Sequence, residues 1–359
     1  MKHPYETLPD EAYWRRAVAA PAMAQVDPVA PPQFRIGRSD KVATGGSCFA
    51  QHIARHLVQN GFTYLVTETA HPIVPSHLAE RFNYGVYTAR YGNLYTSRQF
   101  LQLLRRAYGF FQAEDMIWHK NDRFIDPYRP QIQPDGFSSR EELLADRAQH
   151  LAAVRQAVEN LDVMVFTLGL TECWIDRASG TVFPLCPGVS GGEFDSTRHV
   201  FHNLSSTEVI ADMLEAIDFI RYRNAAARFV LTVSPVPLIA TASGRPVLQA
   251  TTYSKSVLRV AAEEIMALRE NVEYFPSYEI ITGSYNRGAY YGSDLRSVRE
   301  EGVDHVMRLF LRHFGAVEVS RKPIAPSPGR QDHDSVLADA SEMVRVICEE
   351  EALGKSAEH

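Results

Sequence analysis

The chain has 359 residues, of which 45% are hydrophobic and 22% charged, and its formal net charge is −6. These values are ordinary for a globular protein that buries a substantial core. The negative charge argues against a general nucleic-acid role, because neutralising phosphates requires a clustered positive surface. No stretch of the sequence approaches the roughly 18 consecutive apolar residues of a membrane span.

The cysteine content predicts a reducing environment. Cys48, Cys173, Cys186 and Cys348 fit neither a zinc-ligand spacing nor a dense disulfide framework. Reduced thiols are the simplest interpretation, and the N-terminal segment lacks the apolar region of a secretory signal. We therefore expect a cytoplasmic protein. No motif indicates a metal or a nucleotide, so neither a metal site nor a cofactor is predicted, and the sequence does not define the oligomeric state.

Three parts are predicted along the chain. Residues 1–34 form an arm that prolines keep mostly extended, with one short helix at about 11–19. Residues 35–318 form the main domain. Residues 319–359 begin with a proline-rich linker and end in a short helix at about 335–350.

The main domain alternates strands with helices, apart from an insertion at about 70–160 that is rich in aromatic loops. Strands are predicted at 35–44, 62–66, 162–168, 228–234 and 272–276. Helices are predicted at 48–60, 97–110, 139–160, 206–224, 254–268 and 298–314. The connections at 175–206 and 277–296 are interpreted as loops, the first with a hairpin across 178–180.

This alternation predicts an α/β fold, a three-layer sandwich with a mainly parallel central sheet and a helical, loop-rich insertion. Binding sites in such sheets form at the carboxyl ends of the strands. Polar motifs follow three predicted strands at that edge: Ser47, residues 169–172 and residues 234–237. The sequence therefore predicts one site built from these motifs.

Ser47 is the first candidate. It follows the predicted strand 35–44 and the turn Gly45-Gly46, and it lies at the first turn of a helix. Its hydroxyl would leave the sheet edge, and the free amides of the helix N-terminus would stabilise a developing anion. The structural alternative is an N-cap role, which serine at this position often has. The neighbouring Cys48 is a second candidate nucleophile, because a helix N-terminus lowers the pKa of a thiol.

Residues 43–54, which read ATGGSCFAQHIA, resemble the signature of the GSCFA family, which is similar to the SGNH (GDSL-like) esterases and acyltransferases. Further matching segments follow in order at 167–169, 232–236, 253–256 and 275–279. The resemblance covers about 34–315. It implies an SGNH/flavodoxin-like domain and a serine-dependent esterase or O-acyltransferase that acts on a carbohydrate or another small polar acyl ester.

The resemblance also implies a set of site residues. Ser47 would be the nucleophile, with Gly46 and Cys48 beside it. Gly92 and Asn93 would supply an oxyanion donor, although Gly-Asn also suits an ordinary turn.

The third block of SGNH enzymes is normally Gly-x-Asn-Asp, and here it reads Gly169-Leu170-Thr171-Glu172. Thr171 can still donate a hydroxyl hydrogen bond to an oxyanion. Glu172 is either an acid/base group or a solvated residue at the end of a strand.

The last block departs most from the SGNH pattern. Asp-x-x-His would place a histidine that takes the serine proton and an aspartate that orients it. Here the stretch has Asp294 and, in place of the histidine, Ser297. The structural alternative is a capping box in which Ser297 and Glu300 open the final helix. His202, in the loop after the third block, is the candidate substitute base.

Three hypotheses about function remain open. The first is the serine esterase or acyltransferase. The second is a catalytically impaired binding module that recognises a glycan or an acylated ligand, which the missing histidine favours. The third is a scaffold in a surface-polysaccharide pathway that makes contacts through the proline-rich segment and the C-terminal helix.

Overall fold

The structure is a computed structural model that describes residues 3–112, 116–316 and Glu351. The predicted C-terminal linker and helix lie outside the described residues. Within the described part, no helix has the length and apolar character needed to cross a membrane.

Helices and strands alternate through the described part of the main domain. In chain order the strands are β1 (Val42–Gly46), β2 (Trp118–Lys120), β3 (Arg123–Ile125), β4 (Val163–Leu168), β5 (Glu172–Asp176), β6 (Val182–Phe183), β7 (His199–Asn203), β8 (Arg228–Val233) and β9 (Val272–Tyr274). The helices are α1 (Phe49–Gln59), α2 (Ser76–Arg81), α3 (Ser97–Ala107), α4 (Arg140–Asn160), α5 (Ser206–Arg221), α6 (Val247–Leu268), α7 (Ser277–Thr282) and α8 (Glu300–Phe314).

The central sheet is parallel and has the strand order β1–β4–β8–β9. Gly46 lies opposite Thr167, which in turn lies opposite Thr232. A single parallel bridge joins Tyr64 to Val42 on the outer side of β1. If this bridge is counted as an edge strand and the five strands are numbered in chain order, their order across the sheet is 2-1-3-4-5. The direction in which successive strands are added reverses between β1 and β4. Ligands of doubly wound sheets bind at such a reversal point.

Successive residues of the strands point to opposite faces of the sheet, and each face is covered by helices. On one face Met164 and Phe166 pack with α3, α4, α5 and α6. On the other face Val163 and Val165 pack with α1, α7 and α8. The predicted α/β fold is therefore confirmed, with a parallel four-stranded sheet between two helical layers.

Some predicted elements differ from the structure. The predicted strand at 62–66 is reduced to the Tyr64 bridge. The first strand lies later than predicted, and it includes Gly45 and Gly46, which the sequence pattern predicts as a turn. The two glycines serve the strand for a steric reason: a Cβ at position 46 would lie 2.1 Å from the Thr167 carbonyl oxygen. Glycine is therefore required for β1 to approach β4 this closely.

The two predicted loops contain regular structure. The hairpin across 178–180 is confirmed by the antiparallel pairing of β5 with β6, but β7 adds a third strand to this small sheet. The second loop contains α7, and α6 begins seven residues earlier than predicted. These segments lack the long apolar runs that identified β4 and β8, because they pack against the domain on one side only.

A buried ionic network anchors the segment between α1 and α3. Arg90, only 1% exposed, contacts Glu68 at 3.4 Å and Asp146 of α4 at 2.8 Å. His150, also on α4, lies 2.8 Å from Glu68. Buried charges are tolerated when they are paired and hydrogen-bonded, so these contacts hold the segment on α4.

The N-terminal arm packs against α8. The backbone carbonyl of Val26 accepts a hydrogen bond of 2.9 Å from His305 Nε2, and Asp27 lies 3.1 Å from Arg312 and 2.9 Å from His313. The helix predicted at 11–19 is present only as single helical turns.

Candidate active site

The carboxyl end of β1 forms a sharp elbow. Gly46 has φ 116°, a conformation that favours glycine. The Ser47 amide donates a hydrogen bond of 3.1 Å to the Thr167 carbonyl, which keeps the elbow attached to β4. The helix α1 begins two residues later at Phe49. Strand pairing and the glycine conformation together place Ser47 at the sheet edge.

The Ser47 hydroxyl is buried and unbonded. The residue is 4% exposed, and its Oγ forms no hydrogen bond within the described residues. The capping alternative is wrong, since the residue at the N-cap of α1 is Cys48 and no side chain caps the helix. A buried hydroxyl without a partner costs about 1–3 kcal/mol, so its presence here needs an explanation.

Gly169 lies directly against Ser47. A Cβ at position 169 would come within 3.0 Å of the Ser47 Cβ and 2.9 Å of the Tyr95 carbonyl oxygen. The amide of Leu170 donates to the same Tyr95 carbonyl at 2.8 Å. The ends of β1 and β4 therefore meet around Ser47, with the segment that contains Tyr95 packed beside them.

Gly92 and Asn93 belong to this packed segment. Gly92 has φ 72°. Two residues later, the amide of Leu94 donates a hydrogen bond of 2.7 Å to the Gly46 carbonyl. Asn93 is 1% exposed, and its side-chain oxygen accepts a hydrogen bond of 3.3 Å from Gln51 of α1. The structure thus brings the predicted residues Gly46, Ser47, Cys48, Gly92, Asn93 and Gly169 together.

Thr171 extends the site on the β4 side. Its amide donates to Ser254 Oγ at 3.1 Å, while its own buried hydroxyl has no partner within the described residues. The neighbouring Glu172 instead accepts a hydrogen bond of 2.6 Å from Thr241. Burial raises the pKa of the Glu172 carboxyl.

His202 is held by another residue. It lies on β7 with its Nε2 2.7 Å from Glu208, and Glu208 also forms the capping box of α5 with Ser205. The structure therefore does not bring His202 into hydrogen-bond contact with Ser47. Its role as a base stays a prediction.

Asp294 forms a tight local turn. Its carboxylate accepts hydrogen bonds from the amides of Arg296 and Ser297 at 3.0 Å and from the Ser297 hydroxyl at 2.5 Å. Burial alone would raise the pKa of Asp294, but these hydrogen bonds outweigh it and lower the pKa. The predicted capping box is wrong, because Arg299 is the N-cap of α8 and the Ser297 hydroxyl is bonded to Asp294.

The loop that contains Asp294 nevertheless reaches the site edge of the sheet. Just before it, the Tyr291 hydroxyl donates to the Pro235 carbonyl at 2.7 Å, and Pro235 follows the end of β8. The last block therefore lies at the expected edge, while its carboxylate is bound to the serine that replaces histidine.

One cluster could offer metal ligands. His56, Glu300 and Asp304 each present a ligand atom within 4.8 Å of the others, among the residues that the structure describes. Glu300 and Asp304 are exposed, and exposed acidic groups commonly lie together without an ion. No metal is assigned to this cluster.

The prediction of site residues missed Lys255. This lysine of α6 is 1% exposed, and its Nζ donates a hydrogen bond of 2.7 Å to the Gly169 carbonyl. The sequence contained a usable signal, since Lys255, Leu258 and Ala262 follow the three- and four-residue steps of a buried helix face. A charged residue on such a face is exceptional.

Fold and site together define the class of this protein: a doubly wound α/β protein with a buried serine at a strand–helix elbow. The GSCFA family profile matches residues 41–310, which contain the elbow, Gly169, Lys255 and Asp294. The chain belongs to the GSCFA family. No curated protein matches it at a significant level.

Proposed function

We propose that the protein is a serine-dependent acyl esterase or O-acyltransferase that acts on a carbohydrate or another small polar acyl ester. The observation that carries this proposal is the buried, unbonded hydroxyl of Ser47 at the elbow between β1 and α1. A hydroxyl with no structural partner is available for chemistry. Its position at the reversal point of the strand order supports a binding site there.

The proposed reaction has two steps. The Ser47 Oγ attacks the carbonyl carbon of the ester as its proton passes to a base, and the carbonyl electrons move onto oxygen. When the oxyanion collapses, the ester C–O bond breaks, the base returns the proton to the leaving alkoxide, and the acyl group remains on Ser47. Water or an acceptor hydroxyl releases the acyl group in the second step.

Groups around Ser47 suit the charge that develops in both steps. The N-terminus of α1 carries the partial positive charge of the helix dipole. We assign the side-chain amide of Asn93, buried beside the elbow, to the oxyanion; in the structure its Nδ2 donates a hydrogen bond of 3.3 Å to the Tyr95 hydroxyl. Preorganised donors of this kind supply a large part of catalysis in acyl transfer.

A second candidate function is a binding module for a glycan or an acylated ligand. Two observations favour it: Ser47 Oγ has no histidine partner among the described residues, and Asp294 is occupied by Ser297. In this alternative the elbow is kept for shape alone.

Labelling with a fluorophosphonate probe tests the enzymatic proposal. Wild-type protein is expected to be labelled at Ser47 and to hydrolyse p-nitrophenyl acetate, and Ser47→Ala is expected to lose both activities. Ser277→Ala is the matched control, because Ser277 is also fully buried but is bonded to Thr232. A wild-type protein that reacts with neither reagent contradicts the proposal.

The binding alternative predicts a different result. An acetylated oligosaccharide would raise the melting temperature of wild type and of Ser47→Ala equally, with no turnover in either. Loss of this stabilisation in Ser47→Ala would count against a binding module that uses the elbow only for shape.

A further inference from the structure

Ser47 is closed off from solvent in this structure. The residue is 4% exposed, and it packs against Gly169, since a Cβ at position 169 would lie 3.0 Å from the Ser47 Cβ. An ester carbonyl must approach the attacking oxygen to about 3–3.5 Å before it reacts. Acyl chemistry at Ser47 therefore requires that part of the protein at this edge of the sheet moves aside.

A small apolar cluster borders the buried serine. It consists of Tyr95, Leu170, Leu238 and Ala250, and it is separate from the two large clusters that cover the faces of the sheet. Gly169 joins this cluster to the serine. Leu170 is the next residue, and its amide donates a hydrogen bond of 2.8 Å to the Tyr95 carbonyl, whose oxygen would lie 2.9 Å from a Cβ at position 169. Apolar side chains beside a reactive group suit the hydrophobic part of a ligand.

Three residues of the cluster are fixed by the fold. Tyr95 and Leu170 share a backbone hydrogen bond, and Ala250 belongs to α6. Leu238 instead lies in the connection between β8 and α6. Within the described residues, the segment 235–245 of this connection forms no backbone–backbone hydrogen bond. Such a segment opens at a lower free-energy cost than a strand or a helix does.

Side chains hold this segment in its closed position. Leu238 is 6% exposed, whereas every residue of 239–245 is partly or fully exposed. The Leu238 amide donates a hydrogen bond of 3.3 Å to Thr251 Oγ1 of α6. Near the tip of the segment, the Thr241 hydroxyl donates a hydrogen bond of 2.6 Å to the carboxylate of Glu172. One buried leucine and one polar contact at the tip thus fasten the segment to the site.

We infer that the segment 235–245 is a lid over Ser47 and that Leu238 occupies the position of the substrate's acyl chain. This inference rests on the proposed acyl chemistry at Ser47. When the lid opens, Leu238 leaves the cluster, and the acyl chain takes its place against the three fixed residues. A leucine side chain is short, so the vacated space suits an acyl chain no longer than butyryl.

Alkylation at position 47 tests the lid without any turnover. Ser47→Cys, combined with Cys48→Ala to remove the neighbouring thiol, reports opening as the rate of reaction with iodoacetamide, followed by mass spectrometry. Leu238→Ala is expected to raise this rate about 30-fold or more, because it removes the packing of a buried leucine that closes the lid. Thr241→Val removes the hydrogen bond to Glu172 and is expected to raise the rate about tenfold.

Leu143→Ala is the matched control for the lid. Leu143 of α4 is fully buried and also belongs to a small apolar cluster, with Ile132 and Phe137 in the insertion. Its truncation should lower the free energy of unfolding and leave the alkylation rate unchanged. Equal acceleration in Leu143→Ala and Leu238→Ala overturns the inference, because it shows a general loosening of the protein. Urea denaturation identifies any variant that fails to fold, and Thr241→Val, at a partly exposed position, then gives the decisive comparison.

The preferred acyl length tests the position assigned to the acyl chain. Wild type is expected to hydrolyse p-nitrophenyl acetate and butyrate and to react poorly with the octanoate. Ala250→Leu enlarges a wall of the acyl space from a helix that does not open with the lid. It is expected to lower kcat/KM for the butyrate about tenfold or more relative to the acetate. Val260→Leu is the control, because it adds a methylene at an exposed position of the same helix, and it should leave this ratio unchanged.

The outcomes distinguish the inference from the function on which it rests. If wild type hydrolyses none of these esters, the proposed function fails and the acyl position of Leu238 falls with it, whatever the alkylation rates show. If wild type hydrolyses them but neither lid variant speeds alkylation, or Ala250→Leu leaves the acetate-to-butyrate ratio unchanged, the inference is overturned and the esterase proposal stands. Faster alkylation in both lid variants, together with the shifted ratio, supports the inference.

Discussion

Replacement of Gly46 by alanine offers the sharpest test of the elbow. Gly46 combines a φ of 116° with close packing against β4. An added Cβ would lie 2.1 Å from the Thr167 carbonyl oxygen and 2.7 Å from its carbonyl carbon and amide nitrogen. All three neighbouring atoms belong to the backbone of a central strand, so they cannot move aside as the end of a flexible side chain can.

Two costs add in Gly46→Ala. A non-glycine residue in such a conformation costs about 1–3 kcal/mol, and overpacking of a core costs about 1–3 kcal/mol. The sum predicts a loss of about 4 kcal/mol in the free energy of unfolding, measured by urea denaturation with linear extrapolation.

Gly85→Ala is the matched control for this substitution. Gly85 also has a positive φ, 78°, but a Cβ there would meet nothing within 4 Å. The backbone term alone predicts a loss of about 1–2 kcal/mol. Equal losses in the two variants would refute the argument, because they would show that β1 and β4 separate without cost at Gly46.

Two further predictions concern buried charges. Arg90→Met leaves the carboxylates of Glu68 and Asp146 without this partner and should lower the free energy of unfolding by about 3–5 kcal/mol in urea denaturation; a loss below 1 kcal/mol would contradict a tightly coupled network. Burial, assisted by the charge of Arg308, lowers the pKa of His305 to about 4. The unfolded chain therefore binds the extra proton first, and the stability contributed by neutral His305 is full above about pH 6.5 and lost as the pH falls towards 4. His305→Asn should flatten the fall of stability across this range, and an unchanged slope would refute the assignment.

The sequence predicts those strands of the sheet that are buried on both faces. Strands β4 and β8 lie in short, nearly continuous apolar runs, which are typical of strands buried on both faces. Their bounds agree with the prediction to within one residue. The end of β1 was not predictable, because Gly45 and Gly46 are typical of a turn. Their strand conformation depends on an approach to Thr167 that only the folded chain contains.

The site was predictable in position but not in its bonding. A strand followed by a helix is enough to place Ser47 at the sheet edge. The contact between Lys255 and Gly169 joins residues 86 positions apart, and no local pattern encodes it. Asp294 is the opposite case. Its turn with Ser297 is local and could be predicted, but the resemblance of this stretch to a catalytic block favoured a different interpretation.

The arm and the first strand have a consequence for the order of folding. The Val26 carbonyl accepts a hydrogen bond from His305, which lies 279 residues further along the chain. The amide of Lys41, just before β1, donates to the Asp162 carboxylate, which lies 121 residues further along. Contacts between such distant residues form slowly, because a long loop must close first. During synthesis the elbow would therefore leave the ribosome well before the strand that holds it. Any fragment that ends before β4 should lack the site altogether, even though it contains Ser47 and all of α1.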